Sequence, residues 1–365
     1  MRLGISKIFI LVAVPILVSF GLAVAISAEL GPRAYLPALF GGDEQEEEME
    51  EVRALWVTRF DWMSANNPDP DKIDELVSDA SAAGFNVLYF QVRGEADAYY
   101  ASKFEPWSRR LTGTLGQDPG WDPLARLVQR AHANDMEVHA YINMYPLWTG
   151  CEPPPDDTEP RHLYHLLREH HGTTDGKLNG VQWDSTYAVY CLPYFRVSPA
   201  SIMLDDHLLA VTTDLVQNYD VDGIHLDHIR YAGKSASCDP VSEDRYGEKC
   251  FESDNYEDWQ RQQINGTVNR LYQELIGLKP DIWLTAAVWP VYRDVHGWGV
   301  KSAYNTYYQD PQAWLAGGFI DSVSPMIYSG NPDCDKPYFW TRERWATLVS
   351  DYQSFNNGRF IIPGI

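Results

Sequence analysis

The chain has 365 residues, of which 45% are hydrophobic and 13% aromatic, so it is long and apolar enough to fold around a large core. Its 29 Lys and Arg residues stand against 51 Asp and Glu residues, which gives a net charge of −22. A chain this acidic lacks the positive charge that nucleic-acid phosphates and anionic lipid headgroups require, which excludes a general nucleic-acid binder and a surface that docks on such lipids.

The first 30 residues are predicted to be a membrane-targeting segment, either a signal peptide or a membrane anchor. Arg2 and Lys7 precede an uncharged run from Ile8 to Ala28, and this order of charge and apolar residues is typical of export. The run approaches the length of about 20 residues that spans a bilayer, which favours an uncleaved anchor, although the small residues Ala23 and Ala25 also fit a cleavage site. In both cases the positive-inside rule places the rest of the chain outside the cytoplasm, at the cell membrane or secreted.

Residues 31–52 are predicted to form a linker that ends in an acidic run. Pro32 and Pro37 interrupt its first part, and seven acidic residues follow within 43–51. Such a run is typical of a solvated spacer rather than of a binding tail. The rest of the chain still carries a net charge of −15 (−22 + 7), so the domain itself is acidic.

The remaining residues, 53–365, alternate between strand-like and helix-like patterns. The predicted strands are Ala54–Phe60, Asn86–Arg93, Glu137–Met144, Val221–Ile229, Ile282–Trp289, Ser322–Tyr328 and Phe360–Ile365. The predicted helices are Asp71–Ala83, Pro123–Asn134, Pro199–Tyr219, Tyr256–Leu278, Pro311–Ala316 and Thr341–Phe355. Repeated βα units of this length predict an α/β fold, a (β/α)8 TIM barrel. Because the seventh strand reaches the last residue, the barrel is expected to be truncated after that strand.

The five cysteines are candidates for oxidation outside the cytoplasm. Cys238 and Cys250 bracket a short polar segment and could close a loop, while Cys151 and Cys191 bracket a longer one. Cys334 would then be left over. This pairing is an expectation only, because sequence does not fix the connectivity of disulfides.

The alternation within the predicted strands assigns polar residues to the barrel lumen. One set of alternate residues in each strand is apolar and is expected to face the helices, so the other set faces inward. The inward set includes Arg93, His139, Asn143, His225, Asp227, Trp289 and Tyr328. Several of these stand at the carboxyl ends of strands, where barrel enzymes carry their chemistry, so we expect catalysis or substrate binding there rather than a polar core.

Asp227 is the first candidate for a catalytic residue. It ends the fourth strand beside His225 and Arg230, which would hold its carboxylate ionised and suit it to act as a nucleophile or base. Cleavage of a glycosidic bond usually takes two carboxyl groups. Glu95 and Asp97 follow the second strand over the mouth of the barrel, and either one could be the partner acid. Asp222, at the opposite end of the fourth strand, is expected to cap the backbone.

The long segment after the third strand carries a cluster of histidines, His162, His165, His170 and His171. An HxxH spacing makes a zinc site conceivable, but no HExxH motif or supporting carboxylate pattern occurs. A solvated loop is therefore preferred, and we expect no metal and no cofactor. The whole segment 146–197 is long for a βα loop, so we expect it to be a functional lid.

Several long motifs occur in order along the chain, among them RALWVTRFDW, GFNVLYFQVRGEADAYYASKFEPWS, YDVDGIHLDHIRYAG and DSVSPMIYS. Together they resemble the glycosyl hydrolase-like family 10 domain of exported bacterial proteins, and the match runs from about Arg53 to Ile365. The resemblance implies a TIM-barrel glycoside hydrolase that is exported or lipid-anchored, with cell-wall glycan as one class of substrate. The polar positions that match are Arg93, Asp97, His139, Asn143 and Asp227, so the resemblance favours Asp97 over Glu95.

Asp227 also occupies the place of the fourth-strand nucleophile in barrels that resemble α-amylase. This chain departs from that pattern, because His225 stands where those enzymes carry Arg and the fifth strand ends without a Glu. The amylase mechanism is therefore not implied as a whole.

The leading hypothesis is an extracytoplasmic glycoside hydrolase with a poly- or oligosaccharide substrate. Its predicted catalytic residues are Asp227, Asp97 and Glu95, and its predicted substrate-binding residues are Arg93, His139, Asn143, His225, Arg230, Trp289 and Tyr328. The first alternative is a membrane-tethered glycan-binding module without catalysis. The second is a metal-dependent barrel hydrolase that acts on a phosphoester or an amide.

Overall fold

The computed structural model describes residues 51–64, 67–247, 250–328 and 341–364. The predicted membrane-targeting segment, most of the linker and Cys334 lie outside the described residues. Seven strands form the main sheet: β1 Ala54–Val57, β2 Val87–Arg93, β3 Glu137–Asn143, β4 Gly223–Asp227, β5 Trp283–Val288, β6 Ser322–Pro325 and β7 Phe360–Ile361. Each lies within a predicted strand.

Every strand of this sheet pairs in parallel with the next one along the chain, from β1 to β7. Helices connect successive strands, which is the order of a (β/α)8 barrel. The predicted fold class is therefore confirmed, with seven barrel strands within the part of the chain that the structure describes. Parallel strands bring all their carboxyl ends to one edge of the sheet, and that edge carries the candidate site.

Six main helices cover the sheet: α1 Pro70–Ala82, α2 Pro123–His132, α3 Ile202–Asn218, α4 Tyr256–Leu278, α5 Pro311–Gly317 and α6 Arg342–Gln353. Shorter helices are Arg109–Thr112, Leu163–His171, Pro240–Tyr246 and Ala303–Thr306, with a 3-10 turn at Cys250–Glu252. Among the described residues, no helix has both the length and the apolar character that crossing a bilayer requires.

An Asp-Pro pair begins three of the main helices. Asp69, Asp122 and Asp310 each accept a hydrogen bond from a backbone N–H of the first turn, and the proline that follows occupies the first helical position. The carboxylate satisfies an N–H that has no partner within the helix, and proline has no N–H to satisfy there. These local signals explain why the helix starts were visible in the sequence.

Six of the seven strands end earlier than their apolar patterns predict, whereas β2 ends at Arg93 as predicted. β1 stops at Val57 because the carboxylate of Asp61 accepts hydrogen bonds from the backbone N–H and the hydroxyl of Thr58, at 2.6 and 2.7 Å, and so closes a turn. β6 stops at Pro325, where a proline cannot donate to the next strand. The residues after each strand are therefore free to turn over the rim.

The two faces of the sheet bury different kinds of side chain. Leu88 and Phe90 of β2 point to the large apolar core beneath the helices, as predicted. Tyr89 and Tyr141 form a separate cluster with Trp56 on the lumen side. The predicted alternation is thus confirmed along the first part of β2 and β3.

Arg93 departs from the alternation. A β-bulge between Gln91 and Arg93 shifts the register, so that Arg93 lies opposite Ile142 rather than beside the lumen residues. Its side chain is completely buried, and its Nε donates to both carboxylate oxygens of Glu105 at 2.9 Å, with Nη2 2.8 Å from Oε1. His207 of α3 completes the cluster at 2.9 Å from Glu105. The expectation that Arg93 faces the lumen is therefore wrong, because the extra residue of the bulge turns it to the helix layer.

Two disulfides fasten the loops above the sheet. Cys151–Cys191 ties the ends of a hairpin whose strands are Pro146–Thr149 and Tyr194–Arg196, and Cys238–Cys250 closes the segment after β4. Both pairs were predicted from their spacing. The hairpin belongs to the long segment 146–197, which we call the hairpin lid.

The Arg93–Glu105 pair generates a stability prediction. Glu105→Gln would leave the Arg93 guanidinium buried without its counter-ion and should lower the free energy of unfolding by about 3–5 kcal/mol, measured by denaturant titration at pH 7. Glu75→Gln, which breaks only the exposed pair with Lys72, is the matched control and should have no measurable effect.

The same variant has a pH signature. Burial raises the pKa of Glu105, but the charge of Arg93 and the hydrogen bond from His207 outweigh it and lower that pKa to about 2. A carboxylate whose pKa is lowered in the folded state stabilises the protein above its unfolded pKa, and that contribution is lost as the pH falls. The stability difference between wild type and Glu105→Gln should therefore shrink between about pH 5 and pH 2, and a constant difference would contradict this assignment.

Candidate active site

Asp227 ends β4 at the rim of the sheet and lies at the centre of a hydrogen-bond network. The register places it beside Asn143 of β3. The Tyr141 hydroxyl donates to Oδ2 at 2.7 Å, Arg230 Nη1 donates to Oδ1 at 3.2 Å, and the backbone N–H of His228 also donates to Oδ1. Tyr141 belongs to the lumen cluster, so the carboxylate faces the inside of the barrel rather than the outer helices.

This network keeps Asp227 ionised although its side chain is nearly buried. Burial alone would raise the pKa of the carboxyl group, but His228, Arg230 and the hydrogen bond from Tyr141 outweigh burial and hold that pKa far below its usual range. Burial lowers the pKa of His228 to about 3, and repulsion from three nearby arginines adds to this effect. The ring is therefore neutral near pH 7, and Arg230 supplies the positive charge beside Asp227.

His228 is held in an uncommon backbone conformation between Asp227 and a second arginine. Its φ is 51°, in the left-handed region that a non-glycine residue rarely adopts. Arg196 Nη1 lies 3.2 Å from His228 Nδ1, and a guanidinium can only donate, so the proton of the neutral ring is on Nε2. Nε2 lies 3.9 Å from Asp227 Oδ2. The turn after β4 thus brings one imidazole between a carboxylate and a guanidinium.

His225 lies one layer below the rim and is fully buried. Trp56 Nε1 donates to His225 Nε2 at 3.0 Å, and the Thr285 hydroxyl lies 2.8 Å from Nδ1. Its ring stacks on Tyr89 with centroids 4.0 Å apart. Because both nitrogens bond within the protein and burial lowers the pKa of the ring to about 3, His225 is a neutral support beneath Asp227 and offers no free atom to a substrate.

The predicted partner acids lie on the loop after β2, and Arg59 contacts one of them, Glu95. Arg59 Nη2 lies 3.4 Å from Glu95 Oε1, while the backbone N–H of Thr149 donates to Oε2 at 3.1 Å. Asp97 Oδ1 accepts from the backbone N–H of Glu95 at 2.8 Å. Within the described ranges Asp97 Oδ2 accepts no hydrogen bond, so Asp97 has a free oxygen and Glu95 does not. Both side chains are nearly buried.

Arg59 connects Glu95, on the loop after β2, with Tyr194 of the hairpin lid. Its pKa is lowered by burial, but Coulombic interactions with Tyr99, Asp97 and other acidic groups around it outweigh burial and raise the pKa above its ordinary value. Arg59 Nη2 also donates to the Tyr194 hydroxyl at 3.2 Å. A Cβ at Gly94 would lie 3.1 Å from the Arg59 guanidinium, so a larger residue there would displace it.

The hairpin lid brings further side chains to this edge. Thr149 and Tyr194 contact Glu95 and Arg59, and Arg109 stacks over the Trp148 ring at 4.2 Å. The lid thus contacts the residues at the rim, and its function as a lid stays a prediction. Its disulfide joins the segments just beyond Thr149 and just before Tyr194.

Aromatic residues border the open side of the rim. Trp289 lies under Arg230 at 5.8 Å, and Tyr328 meets Trp56 edge-on with centroids 5.9 Å apart. Tyr328 is 40% exposed and Phe60 is 53% exposed. Exposed rings beside polar groups are typical of a surface that binds the apolar faces of a ligand.

Two other predicted binding residues belong to β3, and only one of them lies at the rim. His139 is buried near the start of β3, where Gly223 leaves room for its ring, and four residues of strand put it about 13 Å below Asn143. Asn143 is at the rim but donates to the backbone carbonyl of Gly94 at 3.0 Å, which fixes the loop that carries Glu95. Their roles as substrate-binding residues stay predictions.

The sequence reasoning missed Arg59, Tyr194, Arg196 and His228. Arg59 and His228 follow β1 and β4 directly, so their positions alone could have drawn attention to them. Tyr194 and Arg196 lie in the long lid, and no pattern in the sequence shows that the hairpin folds back over the barrel mouth.

The described residues give little support for a metal site. The histidine cluster does not converge, since His162 bonds to the Glu95 carbonyl and His165 to the Pro154 carbonyl, both from buried positions. The prediction that the histidines lie in a solvated loop is thus wrong for His162 and His165. The group with metal-like spacing in this part of the chain is Cys238, Glu243 and Cys250, and its two sulfurs are joined to each other.

Arg230→Gln should raise the pKa of Asp227, because it removes the lasting positive charge beside the carboxylate. A 13C NMR titration of the aspartate side-chain carboxyl carbons measures this pKa directly. Arg270→Gln removes the same charge from an exposed pair with Asp206 and should leave the titration of Asp227 unchanged. Equal titrations in wild type and Arg230→Gln would show that Arg230 does not hold Asp227 ionised.

Comparisons with known proteins show which family and which relatives the chain is similar to. A family model described as "Glycosyl hydrolase-like 10" matches residues 51–353. The chain is 28% identical over 295 residues to "Glycosyl hydrolase YngK" of Bacillus subtilis, which covers 76% of this chain and 54% of that protein. It is 26% identical over 340 residues to "Glycosyl hydrolase DigH" of Escherichia coli, covering 83% and 71%. The chain thus spans about half the length of the first relative.

Among solved structures, the glycoside hydrolase domain of PgaB (BpsB) from Bordetella bronchiseptica is similar in fold. The TM-score is 0.53 at 13% sequence identity, and the match covers 85% of this chain and 83% of that one. At this identity the likeness concerns the fold alone.

Proposed function

The chain belongs to the glycosyl hydrolase-like 10 family, and on this premise we propose that it is an extracytoplasmic glycoside hydrolase that cleaves O-glycosidic bonds of a poly- or oligosaccharide. The observation that carries the proposal is the position of the Asp227 carboxylate at the rim of the barrel, where it accepts hydrogen bonds from Tyr141 and Arg230. A buried carboxylate held in its charged form can stabilise or attack the positive anomeric carbon that develops as a glycosidic bond breaks.

The low pKa of Asp227 favours the role of nucleophile over that of general base. A general base works best when its pKa lies near the working pH, whereas a carboxylate with a strongly lowered pKa takes up a proton poorly. In the proposed step, an Asp227 oxygen attacks the anomeric carbon while the bond from that carbon to the leaving oxygen breaks. Water then attacks the anomeric carbon and passes a proton to the acid that protonated the leaving oxygen, while the bond to Asp227 breaks and restores the carboxylate.

The leaving oxygen needs a proton, and we propose Asp97 as the donor. Asp97 Oδ1 is fixed by the Glu95 backbone N–H, which leaves Oδ2 free to meet a substrate. Glu95 is bonded through both oxygens to Arg59 and to the Thr149 backbone, so we propose that it positions Arg59 and the lid.

The proposed location is outside the cytoplasm, with the chain membrane-anchored or secreted. Two disulfides support it, since disulfides persist in oxidising compartments. The predicted N-terminal targeting segment supports it as well. We further propose cell-wall glycan as the substrate class, a polymer that a protein held at the outer face of the membrane would meet.

Asp227→Asn should lower glycan cleavage by at least about 10³-fold while leaving the fold intact, because the amide keeps the shape but loses the charge. Release of soluble saccharides from purified cell-wall glycan, followed by mass spectrometry, measures the activity. Asp222→Asn is the matched control at the other end of β4, where Asp222 accepts from the Val138 backbone N–H at 2.8 Å. It should cost stability but not turnover.

The outcome also separates the main alternative, a glycan-binding module without catalysis. If wild-type protein binds the glycan and releases nothing, the binding module is correct and the hydrolase proposal is wrong. Unchanged turnover in Asp227→Asn would refute the nucleophile assignment.

Asp97→Asn and Glu95→Gln distinguish the two acids. Removal of a general acid costs typically 10²–10⁴-fold and costs least on substrates whose leaving group needs no proton. Asp97→Asn should therefore lose at least about 10²-fold on natural glycan and regain most of its rate on an aryl glycoside with an acidic phenol. Glu95→Gln should lose rate equally on both substrates. The reverse pattern would make Glu95 the acid.

A further inference from the structure

Arg196, on the second strand of the hairpin lid, is a guanidinium at the rim that forms no ion pair. Its contacts are the His228 ring nitrogen at 3.2 Å and the Tyr194 ring, whose centroid lies 5.8 Å away. Within the described residues no carboxylate lies within 4 Å of it, whereas Arg59 pairs with Glu95 and Arg230 pairs with Asp227. Arg196 therefore has no direct counter-ion at the rim.

This position is unfavourable for a positive charge. Burial lowers the pKa of Arg196 to about 10, and repulsion from Arg230 adds to the effect. The group remains charged at neutral pH, so the folded protein carries the cost of an uncompensated charge. In a chain with 51 acidic residues, a counter-ion would have been easy to supply.

The pairing of charges at the rim gives the same result. Arg59 and Arg109 both contact Glu95, and Arg230 pairs with Asp227. Asp97 is the proposed proton donor and is neutral before the reaction, so it supplies no counter-ion. Arg196 contacts none of these acids, and it lies one imidazole ring away from Asp227, on the side of the lid.

We propose that Arg196 binds a carboxylate carried by the sugar that occupies the cleft, so that the substrate is an acidic glycan with a negative group close to the bond that is cleaved. The inference rests on the proposed function and narrows it to a substrate class. A guanidinium binds a carboxylate through two parallel hydrogen bonds, and the single charge of Arg196 matches the single charge of a carboxylate. Arg196 is then a specificity-determining residue.

The proposal is tested on one glycan in two forms. Glycan strands with free sugar carboxylates are compared with the same strands after carbodiimide coupling to methylamine, which turns each carboxylate into a neutral amide of similar size. For the wild-type protein, kcat/KM should be about ten- to hundred-fold higher on the carboxylate form.

In Arg196→Gln the ratio of kcat/KM on the two forms should fall towards one, and Arg196→Lys should keep part of the wild-type ratio. Arg270→Gln, which removes an arginine on the outer face of α4, should keep the wild-type ratio.

Three results would overturn the inference. If wild-type protein cleaves both forms equally, the site does not read the carboxylate, although the hydrolase proposal stands. If Arg196→Gln loses the same factor on both forms, Arg196 acts on His228 and Asp227 rather than on the substrate. If no form is cleaved, the hydrolase proposal fails, and retention of wild-type protein on the two immobilised glycans decides the inference. Preferential retention on the carboxylate form supports it, and equal retention contradicts it.

Discussion

A carboxylate stays charged inside a protein only where other groups replace the water that it has lost. Asp227 meets that condition through the Tyr141 hydroxyl, the Arg230 guanidinium and the backbone N–H of His228. Tyr141 belongs to the neighbouring strand β3, His228 is the left-handed residue directly after β4, and Arg230 lies in the loop that follows. The geometry of the site therefore depends on the parallel pairing of β3 with β4, which sets Tyr141 and Asp227 at a fixed distance.

The layer below the carboxylate explains why the lumen is polar. His225 is held by Trp56 and Thr285 and stacks on Tyr89, so its orientation is set by three strands at once. Its low pKa keeps it neutral, and a neutral ring beneath Asp227 adds no charge that would compete with Arg230. Above the rim, Arg59 and the hairpin lid connect the second acid group to the same frame. The barrel thus acts as a rigid support, and the loops carry the groups that differ between barrel enzymes.

Much of this architecture could be read from the sequence because its signals are local. Asp-Pro pairs mark helix starts, and the strict alternation in β2 and β3 separates Tyr89 and Tyr141 from the apolar set. The role of Arg93 could not be read, because one extra residue in a bulge reverses the face of all that follows, and its partner Glu105 lies in an irregular loop. Arg196 and Tyr194 were invisible for a related reason. Their place above the barrel depends on a hairpin and a disulfide that join residues 40 positions apart, and no local pattern encodes that fold.

The central claim is that Asp227 reacts with the sugar at the rim of the barrel. A crystal structure of the Asp227→Asn variant with a bound oligosaccharide tests it most directly. The account predicts that the side chain of residue 227 lies about 3–3.5 Å from the anomeric carbon of one sugar residue, below the hairpin lid. A saccharide bound with every anomeric carbon far from this side chain would contradict the account.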